Sequence, residues 1–135
     1  SLQTIERLLE GDVPAIPKLG FSFVDVRDVA DLHIRAMTDP AAAGRRFIAV
    51  DRFMWLADIA AILRDRLGDD ASKVPSREAP NLLIKAVALF DKSVKPIVPD
   101  LGVRTYMSSE RARTELGWEP RPIEDAVIDC ARSLL

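Results

Sequence analysis

Few side chains in this sequence are of the types that perform nucleophilic or acid–base chemistry. The 135 residues include one histidine, His33, and one cysteine, Cys130. His33 falls inside a predicted helix, where we expect a partly buried structural side chain. Cys130 falls on the apolar side of the last predicted helix, where a small hydrophobic residue is expected. No G-x-S-x-G motif is present, so the sequence predicts no serine nucleophile of the hydrolase type.

The sequence also lacks the usual patterns for holding phosphates and metal ions. Its six glycines stand singly, and neither a G-x-G-x-x-G turn nor a Walker-type loop is present. One histidine and one cysteine are too few for a dedicated zinc site. Asp69 and Asp70 lack the alternating ligands of a calcium loop. In the acidic set Asp25, Asp28 and Asp31, Asp28 is explained as a helix cap, and we predict no metal site.

Composition and charge limit the kinds of partner. The chain has 48% apolar and 30% charged residues and a formal net charge of −2, which is typical of a folded domain. No basic stripe is present, so we predict no nucleic-acid partner. Residues 56–78 superficially match a helix-turn-helix, but Pro75 would break the second helix. The most apolar stretch, 82–90, is about half of the roughly 20 residues that cross a bilayer, so we expect a soluble protein without a membrane partner. A single cysteine allows no internal disulfide framework, so we expect a reducing, cytoplasmic compartment.

Hydrophobic periodicity and turn residues predict a mostly helical α/β chain that forms one domain. Apolar–polar alternation predicts a strand at 21–26, and β-forming residues predict a second at 45–50. A short third strand is expected near Val74. Asp28 is placed to cap the helix that follows the first strand. The predicted helices cover residues 2–9, 28–37, 56–67, 81–91, 110–116 and 123–135.

The helix predicted at 81–91 is apolar on nearly every side. Such a helix requires cover over most of its surface. It is either part of the core, or it forms the wall of an apolar pocket or a surface that another domain meets.

Three segments, in order, resemble the C-terminal portion of an extended short-chain dehydrogenase/reductase. They are FSFVDVRDVADLHIRAM at 21–37, GRRFIAV at 44–50 and SSERARTELGWEPRPIEDAVIDCARSLL at 108–135. The most specific steps are V-D-V-R-D-V-A-D and L-G-W-x-P-R-P. The nearest branch is the dihydroflavonol-reductase-like group of NAD(P)-dependent epimerases/dehydratases. Neither step is a catalytic motif, so the resemblance identifies the lineage better than the reaction.

The resemblance implies that residues 1–135 form the small substrate-binding lobe of a Rossmann-type oxidoreductase, without its N-terminal dinucleotide-binding domain. Members of this family hold NAD or NADP on a glycine-rich turn and react through a Tyr-x-x-x-Lys pair. Both elements precede the matched region. Tyr106 is the only tyrosine, and Glu110 stands four residues after it, so the pair is absent here. We expect no catalysis by this chain alone and no cofactor bound to it.

The resemblance also implies roles for individual residues. By position in the family's motif, Phe21 and Ser22 are directed toward a small-molecule substrate. Arg104 is a further expected substrate contact, for an anionic or polar group, with a surface ion pair as the simpler explanation. The implied partner is the missing N-terminal Rossmann lobe, and self-association through exposed apolar surface is the alternative way to cover it.

Two other functions stay open at this point. One is a non-catalytic sensor or regulator of the same ancestry, and the other is a free-standing helical interaction module.

Overall fold

The computed structural model describes residues 2–135, which form six α-helices and one two-stranded sheet. The mostly helical α/β architecture with few short strands is therefore confirmed. None of the described helices is long and apolar enough to span a membrane. The elements in chain order are α1 (Leu2–Glu10), β1 (Gly20–Phe23), α2 (Val26–Thr38), β2 (Arg52–Trp55), α3 (Leu56–Leu67), α4 (Asn81–Val87), α5 (Glu110–Leu116) and α6 (Ile123–Arg132), with short 3-10 turns at Pro40–Ala42, Gly68–Ala71 and Lys95–Asp100.

The sheet has two faces with different surroundings. β1 and β2 are antiparallel, with Gly20 opposite Trp55 and Ser22 opposite Phe53. Since residues directly opposite each other share a face, these four side-chain positions form one face, which we call the outer face. The other face, the inner face, carries Phe21, Phe23, Arg52 and Met54. Its Met54 is buried and its Phe23 packs on the core.

The main core lies between the inner face and three helices, α1, α3 and α6. Leu63 and Ala131 are fully inaccessible to solvent, and Leu8 and Ile59 nearly so. The buried positions of α3 are Leu56, Ile59, Ala60 and Leu63, the helical spacing that the sequence predicts. Apolar side chains at this spacing bring α3 against α6, which closes the far side of the core.

A second, smaller core joins α2 to α5 and centres on Trp118. This ring is completely buried, and its indole N–H donates to the Asp28 carbonyl oxygen at 2.8 Å. The Asp28 carboxylate accepts from the Arg121 backbone N–H at 2.9 Å and from the Arg121 Nε at 3.0 Å. We call these three hydrogen bonds the Asp28 clamp. They fix the start of α2 to the segment that leads into α6.

The clamp corrects the predicted role of Asp28. The residue that caps α2 is Asp25, whose carboxylate accepts from the Arg27 backbone N–H at 2.7 Å. α2 consequently begins at Val26 instead of Asp28, and β1 ends at Phe23 instead of continuing to residue 26. Asp25 precedes this helix, and Asp28 lies in its first turn. Because Arg121 already donates to the Asp28 carboxylate, Asp28 is not free to cap the helix.

The predicted strand at 45–50 is wrong for the structure described. The second strand is Arg52–Trp55, which pairs with β1. Residues 46–50 form no backbone hydrogen bonds with any part of residues 2–135. A strand requires a partner for its backbone groups, and β-forming side chains alone do not supply one.

The remaining predictions differ mainly at the ends of elements. The helix at 56–67 and the helix at 110–116 are confirmed, whereas α4 ends at Val87 and not at residue 91. The strand expected near Val74 is absent from the described residues, and a single bridge between Ile16 and Glu78 occurs instead. His33 is exposed rather than partly buried, with its Nδ1 2.7 Å from the Val29 carbonyl oxygen.

Val127→Asp is expected to unfold the domain. The substitution places a carboxylate without a partner in the main core, where Val127 is buried. The expected loss is about 4 kcal/mol or more, a large part of the stability of an ordinary domain. Urea denaturation followed by circular dichroism measures it. The matched control is Ile34→Asp, at an exposed position of α2, with an expected loss below about 1 kcal/mol. Equal stability of the two variants would show that this core is misassigned.

Candidate functional site

The outer face of the sheet is an aromatic surface built around a glycine. The Phe53 and Trp55 rings meet edge to face, with centroids 4.9 Å apart and an interplanar angle of 86°. A Cβ atom on Gly20 would lie 2.2 Å from the Phe53 Cζ atom, which is far inside van der Waals contact. Glycine at position 20 therefore lets the Phe53 ring lie against the β1 backbone.

Two cationic side chains cover these rings. The Arg104 guanidinium carbon lies 5.3 Å from the Phe53 centroid and 5.4 Å from the Tyr106 centroid. The Lys18 Nζ atom lies 5.7 Å from the Trp55 ring. These distances are in the range of cation–π attraction. Within residues 2–135, neither cation forms an ion pair with a carboxylate.

The structure brings together two of the three residues expected to contact substrate. Ser22 lies on the outer face opposite Phe53, and the Arg104 guanidinium lies over that same ring. Phe21 lies on the inner face, where its ring meets Phe23 edge to face at 6.2 Å. Phe21 is nevertheless 47% exposed, because it lies at the rim of the core. A ligand on the outer face therefore meets Ser22 and Arg104 but not the face that carries Phe21.

Sequence reasoning missed Phe53, Trp55 and Lys18 as members of this surface. The pairing of β1 with β2 would have revealed Phe53 and Trp55, because it puts Gly20 opposite Trp55 and Ser22 opposite Phe53. With the second strand predicted at 45–50, that register was not available from the sequence.

A separate apolar groove of about 510 Å³ lies between α1, the start of α2 and α6. Cys130 lines it, as expected for a residue on the apolar side of the last helix, and burial raises the pKa of the Cys130 thiol. An elevated pKa leaves the thiol protonated and poorly nucleophilic near neutral pH. The groove's apolar walls include Ile5, Phe23, Val26, Ala126 and Val127.

Charged residues line the same groove beside α2. The Arg27 guanidinium donates to the Asp25 carboxylate at 2.6 and 2.9 Å and to the Asp129 carboxylate at 2.7 Å. The hydrogen bonds from the Arg27 side chain are the main reason that the pKa of Asp25 lies below its usual value. Burial of Asp25 opposes its charged form, but the hydrogen bonds from Arg27 outweigh this effect and stabilise the carboxylate.

The two strand-to-helix junctions of residues 2–135 carry acidic side chains that accept hydrogen bonds from backbone N–H groups. A dinucleotide phosphate binds at a helix N-terminus that follows a strand, on free backbone N–H groups. Both strand-to-helix junctions here already hold a carboxylate at that place. Asp25 accepts from the Arg27 N–H, and Asp58 accepts from the Trp55 N–H at 2.9 Å. Each carboxylate would repel a phosphate at the same position.

Much apolar surface stays uncovered beside these sites. α4 buries Ile84, whereas Leu82 is 81% exposed and Phe90, just after the helix, is 91% exposed. α2 likewise exposes Val26, Ile34 and Met37. The expectation that the apolar helix at 81–91 needs cover is therefore not met by residues 2–135 themselves.

Comparison with known proteins shows that the chain resembles reductases. The chain is 30% identical over 127 residues to the ketoreductase azaE of Aspergillus niger, and 28% identical over 134 residues to a cinnamoyl-CoA reductase of Medicago truncatula. It superposes on the crystal structure of Gre2 from Candida albicans with a TM-score of 0.68 and 25% identity, over 98% of the chain. The resemblance to an extended short-chain dehydrogenase/reductase is confirmed. No protein-family model matches the chain.

The chain corresponds to about one third of the length of these relatives. The aligned regions cover 93% and 99% of the chain but only 32% and 34% of the two reductases, and 36% of Gre2. A second Gre2 structure, in complex with NADPH, has the same fold over the matched region, with a TM-score of 0.65.

Removal of the Asp25 carboxylate is expected to make stability less dependent on pH. Because folding lowers the pKa of Asp25, its contribution is present above the unfolded value near 3.8 and is lost as the pH falls through the folded value. Asp25→Ala should cost about 1–2 kcal/mol at pH 7, and the difference from the parent chain should shrink below pH 4. Urea denaturation at a series of pH values measures both effects.

Asp25→Asn is the matched control, because an amide oxygen still accepts the cap hydrogen bond but carries no charge. It should lose the same pH dependence at a smaller cost at pH 7. A destabilisation by Asp25→Ala that stays constant from pH 7 to pH 2.5 would contradict the assignment.

Proposed function

We propose that this chain is the substrate-binding lobe of an NAD(P)-dependent oxidoreductase that acts on a carbonyl or alcohol group, in the dihydroflavonol-reductase-like branch. In this proposal the cofactor and the catalytic Tyr-x-x-x-Lys pair belong to an N-terminal Rossmann lobe outside residues 1–135. The main support comes from the alignment with reductases. Nearly the whole chain aligns with them, but the aligned region covers only about one third of their length.

The uncovered surfaces support a partner lobe. Residues 46–50 have strand-forming side chains, yet their backbone has no partner within residues 2–135. Backbone N–H and C=O groups without a partner pair readily with a strand of another sheet. The exposed apolar side chains of α2, Val26, Ile34 and Met37, lie on one side of that helix by their spacing. A partner lobe with a sheet and an apolar face would pair the backbone of residues 46–50 and cover the apolar side of α2.

The proposed cofactor is NADP or NAD, held by the N-terminal lobe. The NADPH complex of Gre2, whose fold includes the matched region, supports this assignment. The carboxylates at the helix N-termini of residues 2–135 agree with a cofactor bound elsewhere. Ser22 and Arg104 are the proposed substrate contacts because they share the outer face, whereas Phe21 lies on the inner face.

Calorimetric titration with NADPH tests the proposal. The 135-residue chain, shown to be folded by its thermal unfolding transition, should give no saturable heat. The full-length product of the same reading frame should bind NADPH with 1:1 stoichiometry and should contain Tyr-x-x-x-Lys. Tight binding by the 135-residue chain would overturn the proposal, because it would place the cofactor site within this lobe. A full-length product without Tyr-x-x-x-Lys would favour the sensor function instead.

A further inference from the structure

We propose that Arg104 binds the carboxylate or phosphate of a small organic anion whose apolar part packs on the outer face, against Phe53 and Trp55. This inference deepens the proposed function, since it names the class of substrate, and it rests on that function for the ligand's role.

Arg104 is an arginine over the outer face whose charge no carboxylate of residues 2–135 neutralises. Other arginines of the chain are neutralised by carboxylates: Arg52 pairs with Glu124, and Arg113 pairs with Asp51 at 3.2 Å. Arg104 donates no hydrogen bond within residues 2–135 and has no carboxylate within 4.0 Å there.

Two aromatic rings lie within cation–π distance of the Arg104 guanidinium. Arg104 is flanked by the Phe53 ring at 5.3 Å and the Tyr106 ring at 5.4 Å. A guanidinium that stacks on aromatic rings keeps its N–H groups free at its edge, in the geometry that matches a carboxylate or phosphate. Stacking also restricts the side chain before the ligand arrives, which lowers the entropic cost of binding.

The backbone holds Arg104 beside the sheet. Two residues before it, the Gly102 N–H donates to the Lys18 carbonyl oxygen at 2.7 Å, next to the start of β1. Gly102 has a φ of +76°, a conformation that glycine adopts without strain. The segment with Arg104 is therefore attached to the strand whose outer face carries Ser22.

The two ends of the surface are not equivalent. Lys18 and Trp55 line a shallow depression of about 240 Å³ together with Asp58 and Glu78, and these carboxylates oppose an anion there. Among residues 2–135, no acidic side chain forms an ion pair with Arg104. The anionic group therefore belongs at the Arg104 end. The apolar part extends across Phe53 toward Trp55, and the Ser22 hydroxyl faces its polar substituents.

NMR titration of the ¹⁵N-labelled 135-residue chain tests this inference directly. The probes are cinnamate, phenyl phosphate and the neutral cinnamyl alcohol. Cinnamate or phenyl phosphate should shift the Arg104 Nε–H and Trp55 indole signals saturably, and the stronger of the two identifies the anionic group. Cinnamyl alcohol should not saturate these signals. The buried Trp118 indole, which donates to Asp28, serves as the internal reference and should not move.

Arg104→Gln should weaken the binding of the anion about fivefold or more, because it removes the charge from an exposed position. Arg132→Gln, at an exposed arginine of α6 that is not part of the outer face, should leave the affinity unchanged. Equal affinity of Arg104→Gln and the parent chain, or no saturable shift with either anion, would overturn the inference. The NADPH titration is independent of this outcome, so the two proposals fail separately.

Discussion

The Asp28 clamp is the interaction on which the arrangement of the lobe depends. One residue gives its carbonyl oxygen to the buried Trp118 indole and its carboxylate to the Arg121 backbone and side chain. It thereby joins the strand-to-helix step to the segment between α5 and α6, about 90 residues later in the chain. A buried carboxylate is tolerated because these hydrogen bonds compensate for its lost hydration. The contact joins the two most specific motifs of the family resemblance: V-D-V-R-D-V-A-D contains Asp28, and L-G-W-x-P-R-P contains Trp118 and Arg121.

Two consequences follow from that anchor. The start of α2 is fixed, so Asp25 and not Asp28 caps it, and β1 directly before it presents Ser22 and Gly20 on one face. The other side of α2 gains no partner from the clamp, and Ile34 and Met37 stay exposed. The fold of residues 2–135 thus has a satisfied interior and incompletely covered sides, which is the arrangement expected of a domain that packs against another.

Sequence reasoning succeeded where local signals and tertiary packing agree. The helix at 56–67 has both an apolar stripe and a terminating glycine, Gly68, and its bounds are confirmed. It failed at 45–50, where β-forming side chains lack a strand to pair with in residues 2–135. It also assigned the cap to Asp28, because the contact with Arg121 lies 93 residues away and leaves no local signal. The outer face depended on the register of β1 and β2, which only the fold supplies.

The mass of the native protein is the most direct test of the central claim that this chain is one lobe of a larger reductase. Top-down mass spectrometry of the protein isolated from its natural source supplies it, with an antibody against this chain for enrichment. The account predicts a product about three times as long as these 135 residues, since the chain covers 32% to 36% of its relatives. A native product of only 135 residues would contradict it and would favour a free-standing interaction module.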